Sequence, residues 1–252
     1  MKPWPYPKLV AHRGGGTLAP ENTLAAFRLG QELGYTAAEF DVKLSRDGVA
    51  MLLHDSTLDR TTSGKGDAGS RDWKDLEAFD AGGWHSPQFR GEPIARFDAV
   101  AKLLLSKGTI AHVEIKPSRG REKETGATVA ALTAEFWKGA RVAPVLSSFS
   151  FDALSSAQVM APELPRGWLT KQIVEEDWKR IELLDATSLH TNHQVLERSQ
   201  VERLHDLGVR VMAYTVNEVA RAEELFGWGV DGMFTDNLRE FAQAFPDALR
   251  AR

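Results

Sequence analysis

The chain has 252 residues, of which 42% are hydrophobic and 26% charged, enough to bury one large core beneath an ordinary solvated surface. Its 31 Lys and Arg and 35 Asp and Glu residues give a formal net charge of −4 and are mixed along the sequence, so no basic face predicts a nucleic-acid partner. Cysteine is absent, which excludes disulfides and thiolate metal sites.

The N-terminal segment predicts the location of the protein. Residues 1–8 contain three prolines and no apolar stretch, so we expect no secretion signal. The chain has no run of ~18 or more apolar residues, so we expect no membrane helix and no membrane partner. A cytoplasmic protein is the expectation.

Short β-rich runs alternate with segments of helical period along almost the whole chain, as in βαβ units around a parallel sheet. The predicted strands are residues 8–12, 37–42, 49–53, 110–116, 142–148, 166–170, 187–190, 209–216 and 232–236. The predicted helices are residues 23–33, 97–106, 122–136, 151–160, 175–184, 194–207 and 218–226. About eight parallel strands in roughly 250 residues favour a TIM-like (β/α)8 barrel over an open sheet. We therefore expect a single domain over residues 1–252.

The predicted strand at residues 49–53 follows the second strand too closely for a parallel crossover, which requires a dozen or so residues. The connection is expected to be a hairpin, because the segment before this strand ends in Asp-Gly. Such a hairpin would bring His54 beside Glu39 and Asp41. The polar residues 55–96 are expected to form an insertion outside the barrel.

Charged side chains lie near the ends of two predicted strands. Alternate residues of a strand share a face, so Glu39 and Asp41 point the same way, as do Glu114 and Lys116. The C-terminal ends of barrel strands form the mouth, where active sites are built. The three carboxylates would supply oxygen ligands suited to one divalent cation, Mg²⁺ or Ca²⁺. A buried ion-pair network with Lys116 and Arg13 is the alternative.

Two histidines, His12 and His54, each end a strand, and the hairpin would place both at the mouth. Imidazoles on either side of a substrate can act as general base and general acid. A structural role is the alternative for each of them. Arg13 and Lys116 add positive charge that could neutralise a phosphate.

Four further residues lie near the mouth or below it. Phe149 and Tyr214 stand near strand ends and could form an apolar wall for glycerol, although a role in the core fits them equally well. His190 ends a strand and could line the mouth. His112 shares the inward face of a strand but lies deeper, and we expect it to be a satisfied core group.

Taken in order and spacing, a set of short motifs resembles the glycerophosphodiester phosphodiesterase family. The motifs are HRG at 12–14, PENT at 20–23, EFDV at 39–42, DG at 47–48, LHD at 53–55, EIK at 114–116, YTVN at 214–217 and TD at 235–236. The resemblance covers nearly the whole chain. Segments 4–7, 11–16 and 161–167 make it most similar to the cytoplasmic bacterial members associated with glycerol-3-phosphate uptake.

This resemblance implies a TIM-like barrel whose mouth is capped by the insertion. It implies metal-dependent hydrolysis of a small-molecule glycerophosphodiester to sn-glycerol 3-phosphate and an alcohol. The implied roles are metal binding by Glu39, Asp41 and Glu114, acid–base catalysis by His12 and His54, and phosphate contacts from Arg13 and Lys116. Many relatives carry tryptophan at the position of Tyr214, a departure that affects the glycerol-facing wall. Attack by water and attack by the neighbouring glycerol hydroxyl, through a cyclic phosphate, are both open.

Two other functions are alternatives. A lysophospholipase D or phospholipase-type phosphodiesterase would need an apolar lip or a membrane-binding helix, whereas residues 61–67 of the insertion are polar. A non-catalytic phosphodiester sensor would be expected to lack one of the histidines or carboxylates. All five are present.

Overall fold

The computed structural model describes residues 4–250, so the part of the N-terminal expectation that rests on residues 1–3 lies outside the described residues. Strands and α-helices alternate along the described chain. The strands are β1 (Leu9–Ala11), β2 (Ala37–Leu44), β3 (Ala50–Leu52), β4 (Ile110–Ile115), β5 (Val145–Ser148), β6 (Arg166–Thr170), β7 (Ser188–Asn192), β8 (Arg210–Tyr214) and β9 (Gly232–Thr235). The α-helices are α1 (Leu24–Glu32), α2 (Trp73–Leu76), α3 (Phe97–Ser106), α4 (Glu122–Phe136), α5 (Phe151–Met160), α6 (Glu175–Leu183), α7 (Arg198–Asp206), α8 (Val219–Gly227) and α9 (Leu238–Ala244).

Parallel strands close into a barrel, because β1 pairs with both β2 and β9. The barrel contains every described strand except β3, and helices connect successive barrel strands. The predicted TIM-like (β/α)8 architecture is therefore confirmed. No helix within residues 4–250 combines the length and the apolar character that a membrane span requires.

The predicted hairpin between β2 and β3 is present, and the two strands pair antiparallel. Gly48 adopts a φ of +84° in the turn, a left-handed conformation that glycine enters without steric cost. Beyond β3, the amide of Leu53 donates a hydrogen bond to the carbonyl of Asp41 at 3.1 Å. The hairpin thus carries His54 back to the C-terminal end of the barrel, as predicted.

Three helices differ from the prediction, and one of them, the single-turn helix α2 in the insertion, was not predicted at all. The helix expected from residue 194 begins at Arg198, because the side chain of Asn192 forms a turn by accepting from the amide of Gln194. Helix α9 was not predicted, since its seven residues follow β9 almost directly and carry two charges. Leu238 and Phe241 nevertheless anchor α9, because both are fully buried against the barrel helices.

Apolar side chains fill the barrel interior below the mouth. They are Trp4, Tyr6, Val10, Ala37, Ile110, Val145, Met212 and Phe234. We expected His112 in this layer to be a satisfied core group; its core position is confirmed, but the expected hydrogen bonds are absent among the described residues. The ring is fully buried, yet neither nitrogen has a hydrogen-bond partner within the described residues. Burial lowers the pKa of His112 to about 3, so the imidazole is neutral and packs edge-on against Tyr6 and Phe234.

The insertion at residues 55–96 packs around a small apolar cluster. The cluster consists of Met51, Leu53, Leu58, Ala68, Leu76, Ala81 and Ile94. Polar contacts tie the insertion to the barrel on two sides. Arg46 of the hairpin turn donates to Asp72, and the amide of Ala25 in α1 donates to Glu92. The insertion therefore has a fixed position beside the barrel mouth.

Candidate active site

A cavity of about 230 Å³ opens at the C-terminal end of the barrel. Every residue predicted for the site lines this cavity except Asp41, which is buried next to it on β2. His190 also lines it, as the sequence suggested. No described residue of 55–96 lines this cavity, and the cap that the family resemblance implied stays a prediction.

Three carboxylates converge at the base of this cavity. Asp41 and Glu114 are direct neighbours in the pairing of β2 with β4, and Glu39 precedes Asp41 on the same face of β2. One oxygen from each lies within 4.8 Å of the others, and none of the three residues is more than 9% exposed. The parallel register of adjacent strands therefore assembles the cluster that was predicted from two separate segments.

The negative charge of this cluster is only partly compensated. Burial and the charges of Asp41 and Glu114 raise the pKa of Glu39 well above its usual value. Burial and Asp41 raise the pKa of Glu114 to about 7, although Lys116 opposes this rise. One oxygen of Asp41 is buried without a hydrogen-bond partner among the described residues. A divalent cation with oxygen ligands would fit the donor set and would relieve this repulsion.

Asp41 is the member of the cluster that is held ionised. Burial opposes its ionisation, but Lys116, Arg13 and a hydrogen bond from Asn22 together hold its pKa below the usual value. The amide of Asn22 donates to Asp41 at 2.8 Å, and its oxygen accepts from the backbone N–H of Asp41 at 3.1 Å. Asn22 itself has a φ of +61°, a left-handed conformation that asparagine tolerates better than most residues. This reciprocal pair fixes the orientation of the carboxylate.

The two predicted cations face the same carboxylates. The Nζ of Lys116 lies 2.8 Å from Glu114 and 3.6 Å from Asp41. The backbone N–H of Arg13 donates to Glu39 at 3.0 Å, and its Nε lies 3.7 Å from Asp41. The ion-pair alternative is thus present in part. Two cations do not neutralise three ionised carboxylates. This uncompensated negative charge agrees with the raised pKa of Glu39 and of Glu114.

The imidazoles of His12 and His54 each contact a carboxylate through Nδ1. The Nδ1 of His12 lies 2.6 Å from Asp236, and its Nε2 lies 3.8 Å from Glu39. The Nδ1 of His54 lies 2.7 Å from Asp55. Burial, aided by Arg13 and Lys116, lowers the pKa of His54, although Asp41 opposes this effect. A carboxylate at Nδ1 selects the tautomer that leaves Nε2 for proton transfer.

The sequence interpretation missed several residues that hold the predicted ones in place. Asp236 is fixed by Asn217, whose side-chain oxygen accepts from the backbone N–H of Asp236 at 2.8 Å. Asp236 directly follows β9, so the strand-end rule that selected His12 could have selected it too. Glu21 lies in the PENT motif of the family resemblance, whereas Arg60 lies in a loop of the insertion and carries no comparable signal.

An aromatic wall bounds one side of the cavity. Phe149 and Tyr214 meet edge to face with ring centroids 6.0 Å apart, and the Tyr214 hydroxyl donates to the carbonyl of Thr170 at 2.8 Å. The Nζ of Lys116 lies 5.5 Å from the centre of the Phe149 ring. His190 is buried at the cavity floor, where its Nε2 lies 2.9 Å from the hydroxyl of Ser188. The cavity therefore combines a charged side with an apolar side.

Comparison with known proteins gives a consistent result. Residues 12–240 match the model of the glycerophosphoryl diester phosphodiesterase family. A glycerophosphodiester phosphodiesterase of Caldanaerobacter subterraneus is 32% identical over 229 residues, which cover 91% of this chain and 93% of that protein. A phosphodiesterase of Oleispira antarctica, solved in complex with the product sn-glycerol-3-phosphate, is 33% identical with a TM-score of 0.89 and covers 96% of this chain and 97% of its own. The structure of a glycerophosphodiester phosphodiesterase of Agrobacterium tumefaciens is 30% identical in sequence with a TM-score of 0.79, and the match covers 94% of this chain and 99% of that chain.

Proposed function

We propose that this chain, which belongs to the glycerophosphoryl diester phosphodiesterase family, hydrolyses small glycerophosphodiesters with one divalent cation, Mg²⁺ or Ca²⁺, and two acid–base histidines. Its membership of the family makes it a glycerophosphodiester phosphodiesterase. The observation that supports the metal and the histidines is a buried, undercompensated carboxylate cluster beside two imidazoles that each contact a carboxylate. The products would be sn-glycerol 3-phosphate and an alcohol.

Glu39, Asp41 and Glu114 would hold the cation. A bound divalent ion supplies positive charge to the phosphate oxygens and lowers the pKa of an attacking hydroxyl. The protein contributes the positions of the ligands, because the parallel pairing of β2 with β4 brings all three carboxylates together. Arg13 and Lys116 would add charge-assisted hydrogen bonds to the phosphate from the same side.

The two histidines would move the protons of the reaction. One Nε2 accepts the proton of the attacking hydroxyl as its oxygen bonds to phosphorus. The other donates a proton to the oxygen of the leaving alcohol as that P–O bond breaks. Asp236 and Asp55 support this exchange, because each holds the Nδ1 of its imidazole and so keeps the Nε2 of His12 and of His54 available.

The size and lining of the cavity favour a small substrate. At about 230 Å³ the cavity is smaller than the roughly 300–1,000 Å³ of a typical drug-sized ligand site. Phosphate would lie on the charged side, and the aromatic wall of Phe149 and Tyr214 would contact the carbon atoms of glycerol. These features favour a glycerophosphodiester over a lysophospholipid with a long acyl chain. The cytoplasmic location and the association with glycerol-3-phosphate uptake stay predictions.

The proposal is tested with purified protein and a panel of substrates. Release of sn-glycerol 3-phosphate is measured from glycerophosphocholine and glycerophosphoethanolamine, and release of choline is measured from lysophosphatidylcholine, each in Mg²⁺, in Ca²⁺ and in EDTA. Turnover of the water-soluble diesters that requires a divalent ion is the expected result. A preference for lysophosphatidylcholine would support the lipid alternative, and full activity in EDTA after dialysis would contradict the metal requirement.

A further inference from the structure

One arginine of the insertion binds two carboxylates at the mouth. The Nε and Nη2 of Arg60 donate to Asp55 at 2.7 and 3.0 Å. Its Nη1 and Nη2 donate to Glu21 at 2.7 and 2.8 Å. A planar guanidinium that binds two carboxylates bidentately fixes the orientation of both. Since Glu21 belongs to the loop between β1 and α1, Arg60 joins the insertion to the barrel.

Both carboxylates act directly on residues of the cavity. Asp55 contacts the Nδ1 of His54 at 2.7 Å, and Glu21 accepts from the Nη1 of Arg13 at 2.8 Å. The hydrogen bonds from Arg60 hold the pKa of Asp55 below its usual value. Asp55 therefore stays ionised and remains an acceptor for an Nδ1 proton. Arg60 thus contacts His54, the acid–base group of the proposed function, through one intervening side chain, that of Asp55.

Stability of the fold is a weak explanation for this arrangement. The side chain of Arg60 is 44% exposed, and exposed ion pairs contribute little to the free energy of unfolding. The insertion has its own apolar cluster and a second arginine contact with the barrel, from Arg46 to Asp72. What distinguishes Arg60 from Arg46 is that its carboxylates contact two residues that line the cavity, His54 and Arg13.

We propose, resting on the function proposed above, that Arg60 is a positioning residue for His54. It holds the carboxylate of Asp55 in the orientation that keeps the Nε2 of His54 directed at the phosphodiester, and Glu21 anchors its guanidinium to the barrel. The insertion thereby contributes to turnover although none of its described residues lines the cavity.

The test compares matched arginine variants. Arg60→Ala is expected to lower kcat about 10- to 100-fold and to change KM by less than about threefold, the scale of losing a partner that orients a catalytic group. Arg60→Lys is expected to restore only part of kcat, because one ammonium cannot bind two carboxylates bidentately. The control Arg46→Ala also removes a bidentate contact between the insertion and the barrel, and should change kcat by less than about twofold.

A second comparison places the effect at Asp55. In an Asp55→Ala background, Arg60→Ala is expected to cause no further loss of kcat, because the residue through which it acts is gone. A loss in that background as large as the loss in the wild type would overturn the inference. Wild-type kcat in Arg60→Lys, or equal effects of Arg60→Ala and Arg46→Ala, would also overturn it. A wild-type protein that releases no sn-glycerol 3-phosphate would instead contradict the proposed function itself.

Discussion

The carboxylate cluster should make the stability of the metal-free protein depend on pH through Glu114. Its pKa is raised from 4.5 to about 7 in the folded protein, chiefly by burial and by Asp41. Between these values the folded state retains a proton that the unfolded state has lost, so stability falls as pH rises through this window. The difference corresponds to about 3 kcal/mol, at about 1.4 kcal/mol per pH unit. Glu114→Gln removes this titration. As pH rises from 4.5 to above 7, the free energy of unfolding of Glu114→Gln relative to that of the wild type should therefore rise by about the same amount.

Urea unfolding in EDTA at several pH values from 4.5 to 8.5 measures this difference directly. Buried histidines take up protons on unfolding in part of the same pH range, but both proteins contain them, so their contribution cancels in the comparison. The control Glu202→Gln changes an exposed carboxylate that pairs with Arg198, and its difference from the wild type should stay within about 0.5 kcal/mol at every pH. A difference between Glu114→Gln and the wild type that is independent of pH would refute the charge balance inferred for the cluster.

Three further predictions concern catalysis and metal binding. His12→Ala and His54→Ala should each lower kcat about 10²- to 10⁴-fold, and the wild type should show a bell-shaped pH profile. Near-normal kcat and a flat pH response in either variant would exclude a pair of acid–base histidines. Arg13 and Lys116 are expected to stabilise the transition-state charge. Arg13→Ala and Lys116→Ala should therefore each lower kcat/KM by a factor that corresponds to about 2–4 kcal/mol of transition-state stabilisation. Losses below about tenfold at both positions would make them structural. Asp41→Asn should retain the fold by circular dichroism but lose calorimetric Mg²⁺ or Ca²⁺ binding, and wild-type metal affinity would favour the ion-pair alternative.

Much of the fold could be predicted from the sequence because its signals are local. Alternation of strands with helices predicted the barrel, and the short connection after the second strand predicted the hairpin that places His54. The start of α7 was wrong because Asn192 forms a side-chain turn within an otherwise helical pattern. Helix α9 was missed because its stability comes from burying Leu238 and Phe241, which depends on packing more than on local pattern.

The same distinction applies to the candidate site. His12 and the carboxylates could be identified because each lies near the end of a strand, and strand ends meet at the mouth of a barrel. Their supporting contacts depend on residues that are distant in sequence. Asp236 is 224 residues from His12 and reaches it only because β9 pairs with β1. Arg60 reaches Glu21 only through the folded position of the insertion, which no local pattern specifies.

The central claim is that the cluster of Glu39, Asp41 and Glu114 makes glycerophosphodiester hydrolysis dependent on a divalent ion. The most direct test is sn-glycerol 3-phosphate release from glycerophosphocholine by protein dialysed against EDTA, before and after Mg²⁺ or Ca²⁺ is restored. We predict that activity disappears in EDTA, that it returns with one of these ions, and that Asp41→Asn stays inactive under both conditions. Undiminished release by the dialysed protein in excess EDTA would contradict the account.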